Sequence, residues 1–293
     1  MGFYDAIRVG ASGASTGFTI DRSLRFNAGD SPDLSRTPSS SSNRRTYTYS
    51  CWVKIASKAS VNNKCLFSQG ANGDNSTQFR INSSGTARYE HADGGSPTDV
   101  IELNRFFRDA SAWYHFVIAV DTTQSTTSNR VKIYVNGVQE SSFSTDNYPT
   151  QNFETDVNTT NSFRIGSIIG GNFGDIYMAE INFIDGQQLT PSSFAETNAT
   201  TGQWNPIDTS GLTFGTNGFR LQFADNSGTT ATTLGKDSSG NGNNFTPYNF
   251  SVSAGVGNDS VEDTPTNNFP TLSPFDKSSD IVLYNGNLRY SFA

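Results

Sequence analysis

The chain has 293 residues, of which 16% are charged and 34% hydrophobic, and its formal net charge is −7. That acidity excludes an electrostatic grip on nucleic acid or on an anionic membrane, and no basic cluster exceeds the pair Arg44 and Arg45. An aromatic content of 12%, with 22 Phe, can fill a core, so the abundant small polar residues signal turns rather than disorder.

Residues 1–20 read as a separate piece. The amphipathic start Met1-Gly-Phe-Tyr-Asp-Ala-Ile-Arg-Val runs into Gly10-Ala-Ser-Gly-Ala-Ser-Thr-Gly, which is too flexible to build a core. Two readings stay open: a disordered terminus, or a peptide that anchors to a neighbouring subunit through Phe3, Tyr4, Ile7 and Val9. The start lacks the basic and apolar regions of a signal peptide, and no apolar run approaches the roughly twenty residues that span a bilayer. Folding in a cytoplasm without membrane insertion is therefore expected.

Residues 21–200 read as one all-β unit. Leu24-Arg-Phe precedes a Pro-containing loop, and Arg45-Thr-Tyr-Thr-Tyr-Ser-Cys-Trp-Val-Lys-Ile is a long strand of β-formers. Strands at Cys65, Gln78, Ala87 and Val100 follow, separated by Gly, Asn and Ser turns. The most informative stretch is Trp113-Tyr-His-Phe-Val-Ile-Ala-Val-Asp with Val131-Lys-Ile-Tyr-Val-Asn-Gly-Val. Val131, Ile133 and Val135 alternate with polar positions, the pattern of a half-buried strand, and Asn136-Gly137 supplies the two positive-φ positions of a tight hairpin. Phe163-Arg-Ile-Gly and Gly174-Asp-Ile-Tyr-Met-Ala-Glu-Ile close the series, and Thr190-Pro starts a single helical turn.

Residues 201–293 read as a looser β extension. Leu212-Thr-Phe and Phe219-Arg-Leu-Gln-Phe flank Asn217-Gly218 as a hairpin, and Asn249-Phe-Ser-Val-Ser is strand-like. Asp263-Thr-Pro-Thr-Asn-Asn-Phe-Pro-Thr-Leu-Ser-Pro, with three prolines, must be extended like a strap. Two cysteines, Cys51 and Cys65, are too few for a disulfide scaffold, and two buried thiols are the expected state.

These motifs, in this order over residues 24–198, resemble the laminin G-like, concanavalin A-like family. The resemblance implies an antiparallel β-sandwich of jelly-roll type. A narrower one covers the flanks: the Gly-Ala-Ser-Gly-Ala start, Asn43-Arg-Arg-Thr-Tyr-Thr-Tyr-Ser-Cys-Trp-Val-Lys and the Asp263 strap are similar to virion proteins of marine tailed phages. It implies a tail fibre, spike or capsid decoration, assembled in the host cytoplasm and displaying a lectin-like sandwich for host or glycan attachment. Its partners would be other capsid or tail proteins in a symmetric homo-oligomer such as a trimer. A free bacterial carbohydrate-binding lectin and a glycan hydrolase are the alternatives. In the family pattern, sequences like Phe219-Arg-Leu-Gln-Phe and Asp237-Ser-Ser-Gly precede the sandwich. Following it here, residues 211–254 are expected to cover its open edges.

Glycan hydrolysis needs two carboxylates about 5–10 Å apart. Glu180 and Asp185 would point to opposite faces of a regular strand, Glu90 and Glu102 stand alone, and His91 and His115 have no Ser or Cys partner in the pattern. No enzyme is expected. The family resemblance implies glycan binding by rim loops, where Tyr148, Phe153, Asn172 and Phe173 lie, although such rings could equally bury against a subunit. It also implies a rim calcium site, for which Asp175 and Asp237 are the candidates, with Asn72 and Asp74 a further pair. Asx turns explain the same loops without metal, so no cofactor is the simpler expectation.

Overall fold

The computed structural model describes residues 17–56, 62–255, 257–274, 277–278 and 280–292, so the anchoring candidates Phe3, Tyr4, Ile7 and Val9 lie outside the described residues. In chain order the strands up to the middle are β1 (Ser23–Phe26), β2 (Asp33–Arg36), β3 (Thr46–Ile55), β4 (Lys64–Asn72), β5 (Asn75–Ile81), β6 (Thr86–Asp93), β7 (Ser96–Phe106) and β8 (Trp113–Asp121). Then come β9 (Val131–Val135), β10 (Val138–Gln139), β11 (Phe143–Asn147), β12 (Phe163–Ile165), β13 (Ile176–Asp185), β14 (Ala195–Thr197) and β15 (Trp204–Pro206). The last are β16 (Phe219–Leu221), β17 (Thr246–Tyr248), β18 (Ser260–Val261), β19 (Ile281–Tyr284) and β20 (Arg289–Phe292). The only helical pieces among the described residues are short 3₁₀ turns, one opened by Pro191.

Two antiparallel eight-stranded sheets face each other. The first runs β10-β9-β8-β3-β13-β1-β18, with β16 paired to the far half of β13, and the second runs β11-β7-β6-β5-β4-β12-β2-β17. Strands from beyond residue 200 thus sit in both sheets: β16 lies against Ile181–Phe183, β18 closes the β1 edge and β17 the β2 edge. Tyr49, Cys51, Val53, Phe116, Ile118 and Ile133 of the first sheet pack on Phe67, Phe79, Tyr89, Ile101 and Phe163 of the second. In β13 the inward set changes parity, from Ile176 and Met178 to Ile181 and Phe183. A bulge between Ala179 and Asn182, with Glu180 in the left-handed region (φ 44°), inserts the extra residue.

Several local expectations are corrected. Asn136 and Gly137 both have positive φ, but their turn joins β9 to β10, and β8 reaches β9 through the loop before Val131. The expected Leu212–Phe223 hairpin is absent, because Phe214 O instead accepts from Asp185 N (2.8 Å) and β16 joins β13. The strand expected at Asn249 lies earlier, at β17, since Asn249 has φ 58°. Nor is β9 half-buried: Tyr134 on its outer side is covered by Phe194 and Phe214. Cys51 and Cys65 are free and buried, and burial pushes the Cys65 thiol up to about 12.

Candidate functional site

The outer face of the first sheet is closed. Alternation in β3 turns Thr48, Ser50, Trp52 and Lys54 away from the sandwich core, yet all four are buried. Residues 186–214 cover this face with Phe194, Phe214 and Trp204, and Phe18 and Ile20 join Trp52, Trp113 and Tyr177 in a second cluster. Here the structure supplies the partner that the sequence pattern lacked. His115 Nε2 lies 2.8 Å from Ser50 Oγ, a Ser–His pair stacked under Trp52. The pair is not a nucleophile and base. Trp204 Nε1, a donor only, donates to His115 Nδ1 (3.0 Å), so the ring proton sits on Nε2 and is given to Ser50. Burial pulls His115 down to about 3, leaving the imidazole neutral.

Glu180 and Asp185 are also committed inside the fold. Glu180 Oε1 accepts from Arg220 Nε and Thr209 Oγ1, and burial raises its carboxyl against the charge of Arg220. Asp185 Oδ1 accepts from Asn158 Nδ2 (2.9 Å), and Oδ2 from Asn217 N (3.0 Å).

The second sheet presents the opposite surface. With Phe79, Ile81, Ala87, Tyr89, Ile101, Leu103, Phe163 and Leu34 inside, alternation puts Gln78, Arg80, Arg88, Glu90, Glu102, Arg164, Asp33 and Ser35 outside. Register aligns them in rows: Ser35, Arg164, Ser68, Gln78 and Glu90 are successive cross-strand neighbours, as are Arg80, Arg88 and Glu102. Glu90 and Glu102 therefore do not stand alone. Arg88 Nε donates to Glu90 Oε2 (2.6 Å) and its Nη1 to Glu102 Oε2 (3.2 Å). Glu90 Oε1 also takes Gln78 Nε2 (2.7 Å) and Arg80, and Glu102 Oε1 takes Asn82 Nδ2 (2.9 Å) and Thr86. Across the sheet, Arg164 Nη1 donates to Asp33 Oδ2 (2.7 Å), whose carboxyl burial raises. Three guanidiniums face three carboxylates, so the ladder is neutral by count.

Exposed rings flank this ladder. Tyr248 on β17 is 51% exposed at one side, and Phe106 on β7 is 49% exposed at the other. The six strand steps between them correspond to roughly 29 Å at about 4.8 Å each. The Arg88 guanidinium bridges the two glutamates, where hydrolysis would need a glycosidic oxygen.

The four loop residues expected at the rim are divided. Tyr148 packs against the core, and Phe153 meets His91 edge-on, with ring centroids 4.8 Å apart. His91 Nδ1 in turn lies 3.2 Å from both Thr77 Oγ1 and Asp156 Oδ2. Asn172 and Phe173 lie in the loop after β12, where Ser167 bridges Phe173 and gives its hydroxyl to Asp33 (3.1 Å). Only that second pair borders the charged ladder.

Both candidate aspartates are hydrogen-bonded within the fold. Asp237 Oδ1 accepts from the backbone of Arg220 (2.9 Å) and Ser239 (2.8 Å), and Oδ2 from Ser239 Oγ (2.9 Å) and Asn243 N (2.8 Å). Four donors aimed at one carboxylate occupy the directions a cation would need. Asp175 Oδ1 takes Ala28 N (2.8 Å), and the charge beside it is Lys64, which burial lowers to about 8 while Asp175 opposes that shift. Asn72 Oδ1 is an Asx cap for Asp74 N and Asn75 N (3.0 Å each). Among the described residues no group of three or more His, Cys, Asp or Glu could hold a metal.

A family profile described as the concanavalin A-like lectin/glucanases superfamily, of laminin G type, matches residues 29–175, half of the chain. The chain belongs to this superfamily. No curated protein sequence matches the chain. Among solved structures, a protein from Bacteroides ovatus described as carbohydrate binding is 16% identical with TM-score 0.50, over 78% of this chain and 58% of that one. A heptameric SAP-like pentraxin from Limulus polyphemus is 18% identical with TM-score 0.42, over 58% of this chain and 78% of that one. Mouse laminin alpha1 domains LG4-5 are 12% identical with TM-score 0.39, over 62% and 46%. At these identities the likeness is one of fold, an all-β lectin-like sandwich.

Proposed function

We propose that the chain is a non-enzymatic virion structural protein of a tailed phage, and that its lectin-like sandwich adheres to glycan through the outer face of the second sheet. The observation that carries the binding half is the ladder of Arg80, Arg88, Glu90, Glu102, Arg164 and Asp33 between the exposed rings of Tyr248 and Phe106, in which Asp33 and Glu90 are buried beneath the partly exposed Arg88, Arg164 and Glu102. Sugar rings offer apolar faces that pack on aromatic rings, and hydroxyls that both donate and accept. The partly exposed guanidiniums of Arg88 and Arg164 donate and the partly exposed Glu102 accepts, in fixed pairs without a net field, which favours a neutral glycan over an anionic one. The superfamily and the Bacteroides likeness support a lectin-like module. The virion half, with capsid or tail partners and a trimer or similar oligomer, rests on the likeness of residues 10–17 and of the Asp263 strap to phage virion proteins.

A glycan array probed with the full chain tests the binding half. Arg88→Ala and Tyr248→Ala should each lower affinity at least tenfold for the best neutral glycan. Unchanged binding in both, with loss in Phe153→Ala, would move the site to the rim loop. A reducing-sugar assay should stay at background for every glycan bound. Mass spectrometry of purified particles tests the virion half, and absence of this chain from them would remove it.

A further inference from the structure

Lys54, Asp263 and Asn268 meet on the closed face, where neither the glycan site nor the sandwich core uses them. Lys54 points outward from β3 and is fully buried, and its Nζ donates to Asp263 Oδ2 (2.8 Å), Asn268 Oδ1 (2.8 Å) and Phe269 O (2.6 Å). Asp263 Oδ1 is held by Trp113 Nε1 (3.1 Å) and Phe269 N (3.3 Å), and Trp52, Trp113 and Tyr177 form the apolar cluster on this side of the sheet. Asn268 faces two ways: its carbonyl oxygen meets the buried amine, while Nδ2 donates to the exposed Ser111 O (2.9 Å).

We propose that Lys54 and Asn268 are joined by a self-formed isopeptide bond that staples the strap to the first sheet. The geometry places a buried amine against an amide carbonyl, with a buried carboxylate touching the amine. Asp263 takes a proton from the Lys54 ammonium, and the free amine attacks Asn268 Cγ. The Nζ–Cγ bond forms, Asp263 hands its proton to Nδ2 of the tetrahedral centre, and the regenerated carboxylate takes the second proton from Nζ and passes it to the departing ammonia. The Cγ–Nδ2 bond then breaks and ammonia leaves on the Ser111 side, which is open to solvent. No oxidant or other reactant is needed, and the charge on the lysine departs as ammonium. Holding the two groups in contact supplies the proximity that makes such an amide exchange feasible without an enzyme. The opposing account, a permanently charged lysine with three acceptors, uses the same contacts and differs in mass.

Intact-mass measurement of the purified full chain decides between them. The expected result is a mass about 17 Da below that of the sequence, one ammonia lost, together with a digest peptide linking Lys54 to Asn268. Asn268→Ala, at an exposed position where folding should persist, and Lys54→Arg, which keeps the charge but cannot be acylated, should both show the sequence mass and no linked peptide. The full sequence mass in folded wild-type protein would overturn the proposal. So would the same mass loss without the linked peptide, because an asparagine can also lose ammonia by closing on its own backbone. Neither outcome bears on glycan binding, which involves the other sheet.

Discussion

The two sheets share one strand grammar and end with opposite outer faces. On the first, Trp52, His115, Tyr134, Tyr177 and Ile184 face outward and are buried by the segments after β13. On the second, the corresponding positions are Gln78, Arg80, Arg88, Glu90 and Glu102, which cover one another and leave exposed rings at both flanks. Buried cations on the closed face have carboxylates brought by the C-terminal third: Arg25 meets Asp259 at 2.9 Å and Lys54 meets Asp263 at 2.8 Å. The open face makes its ion pairs within the sheet. One face is thus a structural seam between distant parts of the chain, and the other carries its ion pairs on its own strands.

The largest expected effect breaks that seam. Asp259→Ala removes the carboxylate that the buried Arg25 meets at 2.9 Å, and breaking a buried ion pair costs about 3–5 kcal/mol. Urea unfolding should show the midpoint falling accordingly. A loss below about 1 kcal/mol would mean that the C-terminal segment is not a working part of the closed face.

A pH series sharpens the same contrast. His115 titrates at about 3 in the native chain, against about 6.5 when unfolded, so between those values the unfolded state binds the extra proton. Stability from this group is complete above pH 6.5 and falls as pH drops, by about 2 kcal/mol between pH 7 and pH 5. Asp33, Asp259 and Glu180, raised by burial, work in the other direction, because their native forms hold protons more tightly. The histidine contribution is therefore read as the difference between wild type and His115→Gln. Parallel curves for the two proteins would show that His115 is not neutral in the native state.

Much of this contrast was legible in the residues. β8 reads Trp113-Tyr-His-Phe-Val-Ile-Ala-Val with almost no polar alternate, the mark of a strand buried on both sides, whereas β6 alternates Thr86, Arg88 and Glu90 with Ala87 and Tyr89. The family motifs gave the sandwich for the same reason: alternation and turn chemistry are local. What covers β8 was not legible, because Trp204 reaches His115 from 89 residues away and Phe194 from about eighty. The Glu180 bulge was hidden too, since a left-handed glutamate has no local signature and is held there by distant Arg220. The candidate face emerged only once register set Arg88 between Glu90 and Glu102, so rim aromatics alone pointed elsewhere.

On the open face the same kind of substitution should cost little stability. Arg88→Ala removes two partly solvated ion pairs, worth up to about 1 kcal/mol in urea unfolding, because Glu90 keeps Gln78 and Arg80, and Glu102 keeps Asn82 and Thr86. Glycan affinity should nevertheless drop at least tenfold. A stability loss approaching that of Asp259→Ala would mean that this face, too, is structural.

The smallest expected effect is at Phe106. Its ring is about half exposed at the flank of the ladder and carries only the Arg108 guanidinium, 4.5 Å from its centroid. An exposed cation–π contact is worth about 0.5–1 kcal/mol, and part of that returns as solvation when the arginine is released. Phe106→Ser should therefore move the unfolding midpoint by no more than about 0.5 kcal/mol. A ring that contributes so little to folding and yet stands clear of the sheet is either a chance exposure or a contact surface. Titration with the glycan selected on the array separates the two: unchanged affinity would confine the binding face to the half nearer Tyr248, and a several-fold loss would extend it across all seven strands from β17 to β7.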